Sequence, residues 1–576
     1  MNRDKNMKVK IRKLLKNNKI LSYILIFFMA LFVCIPLFSK YMNISADDGI
    51  QHICRIIGTD ASLKEFKLFP VIMSGFCNGF GYSWNIFYSP LTAYLPLIFK
   101  IFTTSYVLSL KLFMFSCMLF SGIFMYKLVY RICKSHKAGV ISAIIYIAAP
   151  YHLTDLYTRI AIAELASFVF LPILFIGMYD LINKNKKKTY CISIGAIGLI
   201  LTHNVIAVYA AIFCAVYLLF YYKKLNNKIV FKNILINIGI ILLCTSFYWI
   251  PLLEHYFTTT YEVFVPERMY KDNTLIGSKL SFLDLFITKP YGMNFHIGLP
   301  IIFGIVLAFI YRKRIKGRYA KLLNIFLGFG ITSIIMASKI FPFEYLPDTL
   351  KMIQFTWRMM EFAMFFLSIV SGITITIFIH KNKKKDTIVS TATIAYTALL
   401  VITQNTTIAI PFDEEKYLEP IPVTSQTGRV HAGCATFEYL PQKAFVNREY
   451  IETRTQDVIV IEGEANIINQ NKQSTNLSFE FENAKGTVKF ELPYIFYVGY
   501  NAKLTDEHNN IKDIKITESE KGFCMIEISN VEKGKIEIEY TGSMLMKISY
   551  VLTLIGIVSL IIYYYKLKKT KVKKVI

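Results

Sequence analysis

A chain of 576 residues that is 54% hydrophobic and 15% aromatic is not a string of soluble domains, because apolar runs of about 20 residues, enough to cross a bilayer, recur along it. The formal charge of +26 invites a nucleic-acid reading. However, roughly 36 of the 65 basic residues fall in short, acid-poor clusters between apolar runs, the pattern of cytoplasmic loops, which argues against nucleic acid as a partner.

Only helices and closed barrels satisfy their own backbone groups in lipid, so the composition predicts a polytopic α-helical membrane protein. The basic segment through Lys19 precedes a first apolar run at 20–38. Its core is too long for a secretory signal and no small-residue cleavage site follows, so it reads as a retained span. A long outer loop, 39–105, comes next. Inside it, "FYSPLTAYLPLIFKIF" from Phe87 to Phe102 would flip every later lysine cluster outward if it crossed. Two prolines also disfavour a clean spanning helix, and an interfacial or re-entrant segment is expected.

Further spans are expected near 106–126, 138–150, 161–182, 189–203, 205–222 and 233–250, then 297–311, 322–338, 359–380, 387–404 and 544–565, twelve in all. With the N-terminus cytoplasmic, the clusters Lys127–Lys137, Lys184–Lys188, Lys223–Lys232, Arg312–Lys321, Lys381–Lys385 and the tail from Lys566 all lie inside. The chain is thus expected in the cell membrane, multi-pass, with both termini cytoplasmic. Residues 405–543 change character: segments such as "DVIVIEGEANII" and "GTVKFELPYIFYVGY" alternate apolar and polar residues between turn residues. They predict an extracytoplasmic antiparallel β-sandwich. The organisation expected is a transmembrane module at 1–404, a β-rich domain at 405–543, and an anchor with a basic tail at 544–576.

Ten cysteines show no CxxC pair and no metal spacing. Cys54 and Cys77 lie in the first loop, Cys434 and Cys524 in the β-rich region. Either pair suits a disulfide if those regions are extracytoplasmic.

Candidate chemistry gathers on the outer face. In "NISADDGIQHICRII", Asp48, His52 and Arg55 stand at i, i+4 and i+7 of a helix and share one face, while Asp47 points elsewhere. A carboxylate beside an imidazole and a guanidinium suits deprotonation of a hydroxyl near a bound anion. The same pattern serves a solvated, salt-bridged juxtamembrane helix, and spacing alone favours that reading. In "PYHLTDLYTRIAIAELASF", Asp155 and Arg159 are one turn apart, and Glu164 enters the next apolar run, where a carboxylate is costly and marks function by default. A structural ion pair among the three is the alternative. His203 sits between two spans, a common place for a helix-end hydrogen-bonding group. In "IQFTWRMMEF", Arg358 stands at headgroup depth, where a bidentate phosphate ligand or a snorkelling side chain is found, and Glu361 needs a partner. No Walker, GxSxG, HExxH or dinucleotide motif occurs, which argues against an ATP-driven pump.

The basic N-terminus, single span and Asp-bearing outer loop resemble the GT-C superfamily of membrane glycosyltransferases. The runs "DDGIQHICRI", "FPVIMSGFCNGFGYSWNIFYSPLTAYLP" and "IYIAAPYHLTDLYTRIAIAELASFVFLPI" resemble the bacterial membrane proteins labelled "6-pyruvoyl-tetrahydropterin synthase-related", relatives of the YfhO-type family. "QFTWR", "EYLP" at Glu438–Pro441 and "LPYIFYVGY" are similar to YfhO-type proteins as well. The label implies no pterin chemistry. The resemblance implies a GT-C-like fold and transfer of a sugar, usually with inversion, from a polyprenyl-phosphate donor to a hydroxyl of an envelope polymer or glycolipid. It places the catalytic base or metal-site acid at Asp48, with Asp47 as the alternative. His52 would orient the acceptor, and Arg55, Arg159 or Arg358 would hold the donor phosphate. Asp155, Glu164, His203 and Glu361 complete the expected substrate site. Whether a divalent cation takes part stays open. The competing readings are a transporter or flippase of lipid-linked sugars, and a structural envelope protein acting through its β-domain.

Overall fold

The computed structural model describes residues 17–39, 48–183, 188–265, 272–288, 292–347, 353–380, 382–404, 434 and 437–569. Asp47 and the stretch 405–433 lie outside them. The first helices are α1 (Asn18–Cys34), α2 (Gly49–Lys64), α3 (Leu91–Lys100), α4 (Tyr106–Cys133) and α5 (His136–Ile147). They are followed by α6 (Ile162–Ile182), α7 (Tyr190–Thr202), α8 (Asn204–Leu219), α9 (Lys228–Cys244) and α10 (Ser246–Thr258). Then come α11 (Leu299–Ile310), α12 (Gly317–Ala337), α13 (Met359–Phe378), α14 (Lys383–Gln404) and the C-terminal α15 (Met544–Lys569).

Among the described residues seven helices are long and apolar enough to cross a membrane, or up to nine if each of two bent pairs is one span. One bent pair joins α5 to Pro150–Thr158 at 48°, the other joins α9 to α10 at 68°. The expected spans at 189–203, 205–222 and 297–311 form α7, α8 and α11. At about 1.5 Å per residue these run only about 18–24 Å, short of a hydrocarbon core of about 30 Å. Among the described residues length and apolarity therefore carry seven of the twelve expected spans, or up to nine with the bent pairs. The segment 87–102 folds as α3, which at about 15 Å is too short to cross.

The bundle centres on α6, whose residues are buried except for Phe170. In lipid, close backbone approach replaces the hydrophobic drive between helices. At the α6–α7 crossing a Cβ on Gly195 would stand 2.5 Å from the Leu174 nitrogen, and one on Gly177 2.5 Å from the Ile192 nitrogen. Charge divides along α6. Near its C-terminal end Asp180 pairs with Arg131, and Lys224 donates to the Ile182 carbonyl at 2.9 Å. The acids and histidines discussed below gather at the opposite end. Helix α15 packs against α9 through Tyr563, whose hydroxyl donates to Asn233 at 2.7 Å and accepts from Asn237 at 3.3 Å.

Seven antiparallel strands follow, β1 (Ile459–Gln473), β2 (Asn476–Ile495), β3 (Tyr500–Asp506), β4 (Ile511–Ile514), β5 (Ile516–Glu518), β6 (Phe523–Ser529) and β7 (Gly534–Tyr540). Their order is β4-β3-β7-β2-β6-β5, with β1 paired along β2. The first half of β2 pairs with β7 and the second with β6. The inward set switches parity, from Leu477, Phe479 and Phe481 to Val488, Phe490 and Leu492. The switch falls at Asn483 and Gly486, which have φ of +57° and +68°. One connected antiparallel sheet thus turns about β2 over a shared core, in the region where the alternation predicts a β-rich domain.

A second core joins this sheet to the first loop, uniting Phe80, Tyr82 and Trp84 with Leu440, Tyr497 and Phe523. It also revises the cysteine expectation. Cys77 Sγ stands 3.3 Å from Cys434 Sγ, and the Cys524 thiol points to the Ile495 carbonyl at 3.7 Å.

Candidate functional site

Four segments distant in sequence converge where α2, α6, α7 and α13 meet. The centre is Glu164, in the first turn of α6. Its Oε1 accepts from Arg159 Nη1 at 3.0 Å and from Arg358 Nε at 3.1 Å, and lies 3.8 Å from His203 Nε2. Its Oε2 accepts from the Tyr151 hydroxyl. Arg159 Nη1 also reaches Asp155 Oδ1 at 2.9 Å and Tyr151 at 3.2 Å, and Nη2 lies 3.7 Å from Asp48 Oδ2. Arg358 further donates to the Ile353 carbonyl at 2.7 Å and to Gln354 at 3.2 Å.

The backbone sets this up. After α5 the chain breaks at Ala148–Ala149, resumes at Pro150, and widens into a single π turn over Thr154–Thr158. Ile160 then takes φ +52°, a left-handed conformation that a β-branched residue adopts only under constraint. The turn aims the Arg159 carbonyl at the Asp48 backbone N–H, 3.0 Å away, and closes with Ala161 N–H donating to the Asp155 carbonyl at 3.0 Å.

Asp48 occupies the residue before α2, without a side-chain capping hydrogen bond. Its side chain is 35% exposed, whereas those of Asp155, Glu164 and Arg159 are at most 3% exposed. Asp48 is thus the open member of a closed network, and the spacing that grouped it with His52 and Arg55 resolves into three environments. His52 is buried with its ring edge-on to Tyr88 and its Nε2 without a hydrogen-bond partner. Burial, followed by the charges of Arg55, Arg159 and His203, lowers its pKa to about 3, so it is neutral near pH 7. Arg55 is 1% exposed and turns into the loop beyond. It donates to Thr92 at 3.2 Å, Asn85 at 3.1 Å and the Tyr88 and Ser89 carbonyls at 3.3 and 2.7 Å, and lies over the Tyr88 ring. That occupancy fits architecture better than phosphate binding.

Glu361 lies one step deeper, fully buried, with Oε1 accepting from Ser167 at 2.5 Å and Oε2 without a partner. Tyr151 and Ser167 are site residues that the charged pattern alone does not reveal. Tyr151 does stand four residues before Asp155 and eight before Arg159, a helical stripe visible in the sequence. Among the described residues no group of three or more His, Cys, Asp or Glu side chains gathers as a metal ion needs.

The model of a family described as "6-pyruvoyl-tetrahydropterin synthase related domain; membrane protein" matches residues 86–411. An uncharacterized protein of Lactococcus lactis subsp. cremoris strain MG1363 is 26% identical over 338 residues, 56% of this chain and 54% of that protein. The match thus spans about half of the relative's length. In fold the chain is similar to the oligosaccharyltransferase of Archaeoglobus fulgidus. It is 13% identical to that enzyme in the complex with Zn and sulfate, at TM-score 0.44, covering 70% of this chain and 58% of that one. For the apo form the values are 11% and 0.42, covering 70% and 60%.

Proposed function

The chain belongs to the membrane-protein family described as 6-pyruvoyl-tetrahydropterin synthase related, and from the geometry of its charged network we propose that it acts in the membrane as a glycosyltransferase. It moves a sugar from a polyprenyl-phosphate-linked donor to a hydroxyl of a cell-envelope polymer or glycolipid. The site faces outward, because the basic end of α6 is the cytoplasmic one by the charge rule. The observation that carries the reading is the exposed Asp48 carboxylate standing on a buried arginine-carboxylate network.

In this reading Asp48 accepts the acceptor's hydroxyl proton as that oxygen attacks the anomeric carbon. The bond from that carbon to the phosphate oxygen breaks on the opposite face, and its electron pair leaves with the phosphate, so the configuration inverts. The Arg159 guanidinium, 3.7 Å from Asp48 Oδ2, orients that carboxylate. Arg358 is the arginine assigned to the leaving phosphate: Glu164, Ile353 and Gln354 hold its Nε and Nη1 and leave Nη2 to donate, whereas both Nη atoms of Arg55 are committed. Neutral His52 orients the acceptor as a single donor or acceptor. The test is envelope glycan analysis of cells carrying wild type or Asp48→Asn. Loss of one sugar with the variant inserted and folded supports the reading, and an unchanged glycan profile overturns it.

A further inference from the structure

The contact between Cys77 and Cys434 lies outside the catalytic network and joins parts of the chain 357 residues apart. The two sulfurs stand 3.3 Å from each other, buried in the core between the first loop and the sheet. Both residues are held from elsewhere. The Tyr82 hydroxyl donates to the Cys434 carbonyl at 3.1 Å and accepts the Tyr439 N–H at 3.1 Å. Cys77 begins a run of left-handed residues, Cys77, Asn78 and Gly79, at φ +51°, +55° and +80°. Two non-glycine residues in that region persist only where their surroundings over-determine them. A sulfur displacement of about 1.2 Å converts the contact to bonding distance.

We propose that Cys77 and Cys434 form a disulfide that fastens the loop carrying α2 to the segment leading into the sheet. This rests on the reading that places the first loop and the sheet on the outer, oxidising side. The oxidant is an external disulfide, met during folding before the core closes. One cysteine thiolate attacks a sulfur of that disulfide, forming a mixed disulfide and releasing one thiolate. The second cysteine thiolate then attacks the protein-bound sulfur, expelling the other thiolate. Both protein thiols lose their protons, and the external disulfide is reduced to two thiols. The bond reinforces the packing of the segment before the sheet on the first loop, where Phe87 and Trp84, which flank the Arg55 contacts, pack on Tyr439.

The test uses the full chain, solubilised in detergent from cells lysed in N-ethylmaleimide, then digested without reduction and analysed by mass spectrometry. The expected result is a linked peptide pair containing Cys77 and Cys434, lighter than the reduced pair by two hydrogens and lost after reduction. Alkylated Cys77 and Cys434, or either one bonded to Cys54, overturns the proposal. His508, 77% exposed on the sheet, separates this failure from that of the topology. In intact cells His508→Cys should react with a membrane-impermeant maleimide. If it reacts while Cys77 and Cys434 are alkylated, the disulfide alone is wrong. If it does not react, the outward orientation falls and the disulfide with it.

Discussion

Arg159 holds Asp48 twice: its carbonyl accepts the Asp48 backbone N–H at 3.0 Å, and its Nη2 lies 3.7 Å from Asp48 Oδ2. The backbone bond fixes where α2 begins, and the charge contact orients the exposed carboxylate. Asp48→Asn keeps the first and removes the second. Transfer should fall about 100-fold or more, the usual loss of a general base, with the melting temperature in detergent nearly unchanged. A variant that melts early or transfers normally contradicts the assignment.

Glu164 makes a different prediction, because it is structural before it is chemical. It pairs with two buried guanidiniums, so Glu164→Gln leaves both under-compensated. Removing one partner of a buried pair costs about 3–5 kcal/mol. The variant should insert poorly or melt well below wild type, and Arg358→Gln beside it should recover part of the loss. Equal or greater damage in the double variant would show that the arginine is not what Glu164 neutralises.

The pH dependence follows from His52. Its pKa is held near 3 by burial and neighbouring cations, against about 6.5 in an unfolded chain. Between those values the unfolded state binds the extra proton, so stability is full above about pH 6.5 and declines as pH falls. The decline from this group approaches about 1.4 kcal/mol per pH unit. Thermal unfolding at pH 7 and pH 5 should therefore show a smaller acid penalty in His52→Gln than in wild type. Parallel penalties in the two proteins would assign the acid sensitivity to other groups.

Much of this was legible in the sequence wherever the signal is periodic. Apolar runs mark the long spans, and alternation marks the strands of the sheet. The turn of β2 was not, because it depends on two positive-φ residues, Asn483 and Gly486, that leave the alternating pattern intact on either side. At the site, helical spacing brought Asp48, His52 and Arg55 together, yet it could not show that Arg55 is buried under residues 85–92. Glu164 and Arg358 are 194 residues apart, and Cys77 and Cys434 are 357 apart. No local pattern encodes such pairs, since they depend on which helices pack.

The α6–α7 crossing permits a paired substitution. Gly195→Ala places a methyl 2.5 Å from the Leu174 nitrogen, whereas around Gly239 in α9 nothing lies within 4 Å. Gly239→Ala should be neutral or stabilise by up to about 1 kcal/mol, the gain of alanine over glycine in a helix. Gly195→Ala should lower the melting temperature by forcing the helices apart. Equal behaviour of the two variants would mean that the crossing is not close-packed.

Arg55 is the residue for which the two readings of the first loop diverge most clearly. As a donor-phosphate ligand, it would tolerate lysine with a raised KM for donor and ordinary stability, because an ammonium still attracts phosphate. As an architectural clamp it would not, because its planar fork serves Thr92, Asn85 and the Tyr88 and Ser89 carbonyls at once, and a single lysine nitrogen does not reproduce that geometry. The expected outcome for Arg55→Lys is therefore a lower melting temperature and faster proteolytic cleavage between residues 65 and 90. The KM for donor in the surviving folded fraction should be close to that of wild type. A raised KM with unchanged melting would return Arg55 to the phosphate site.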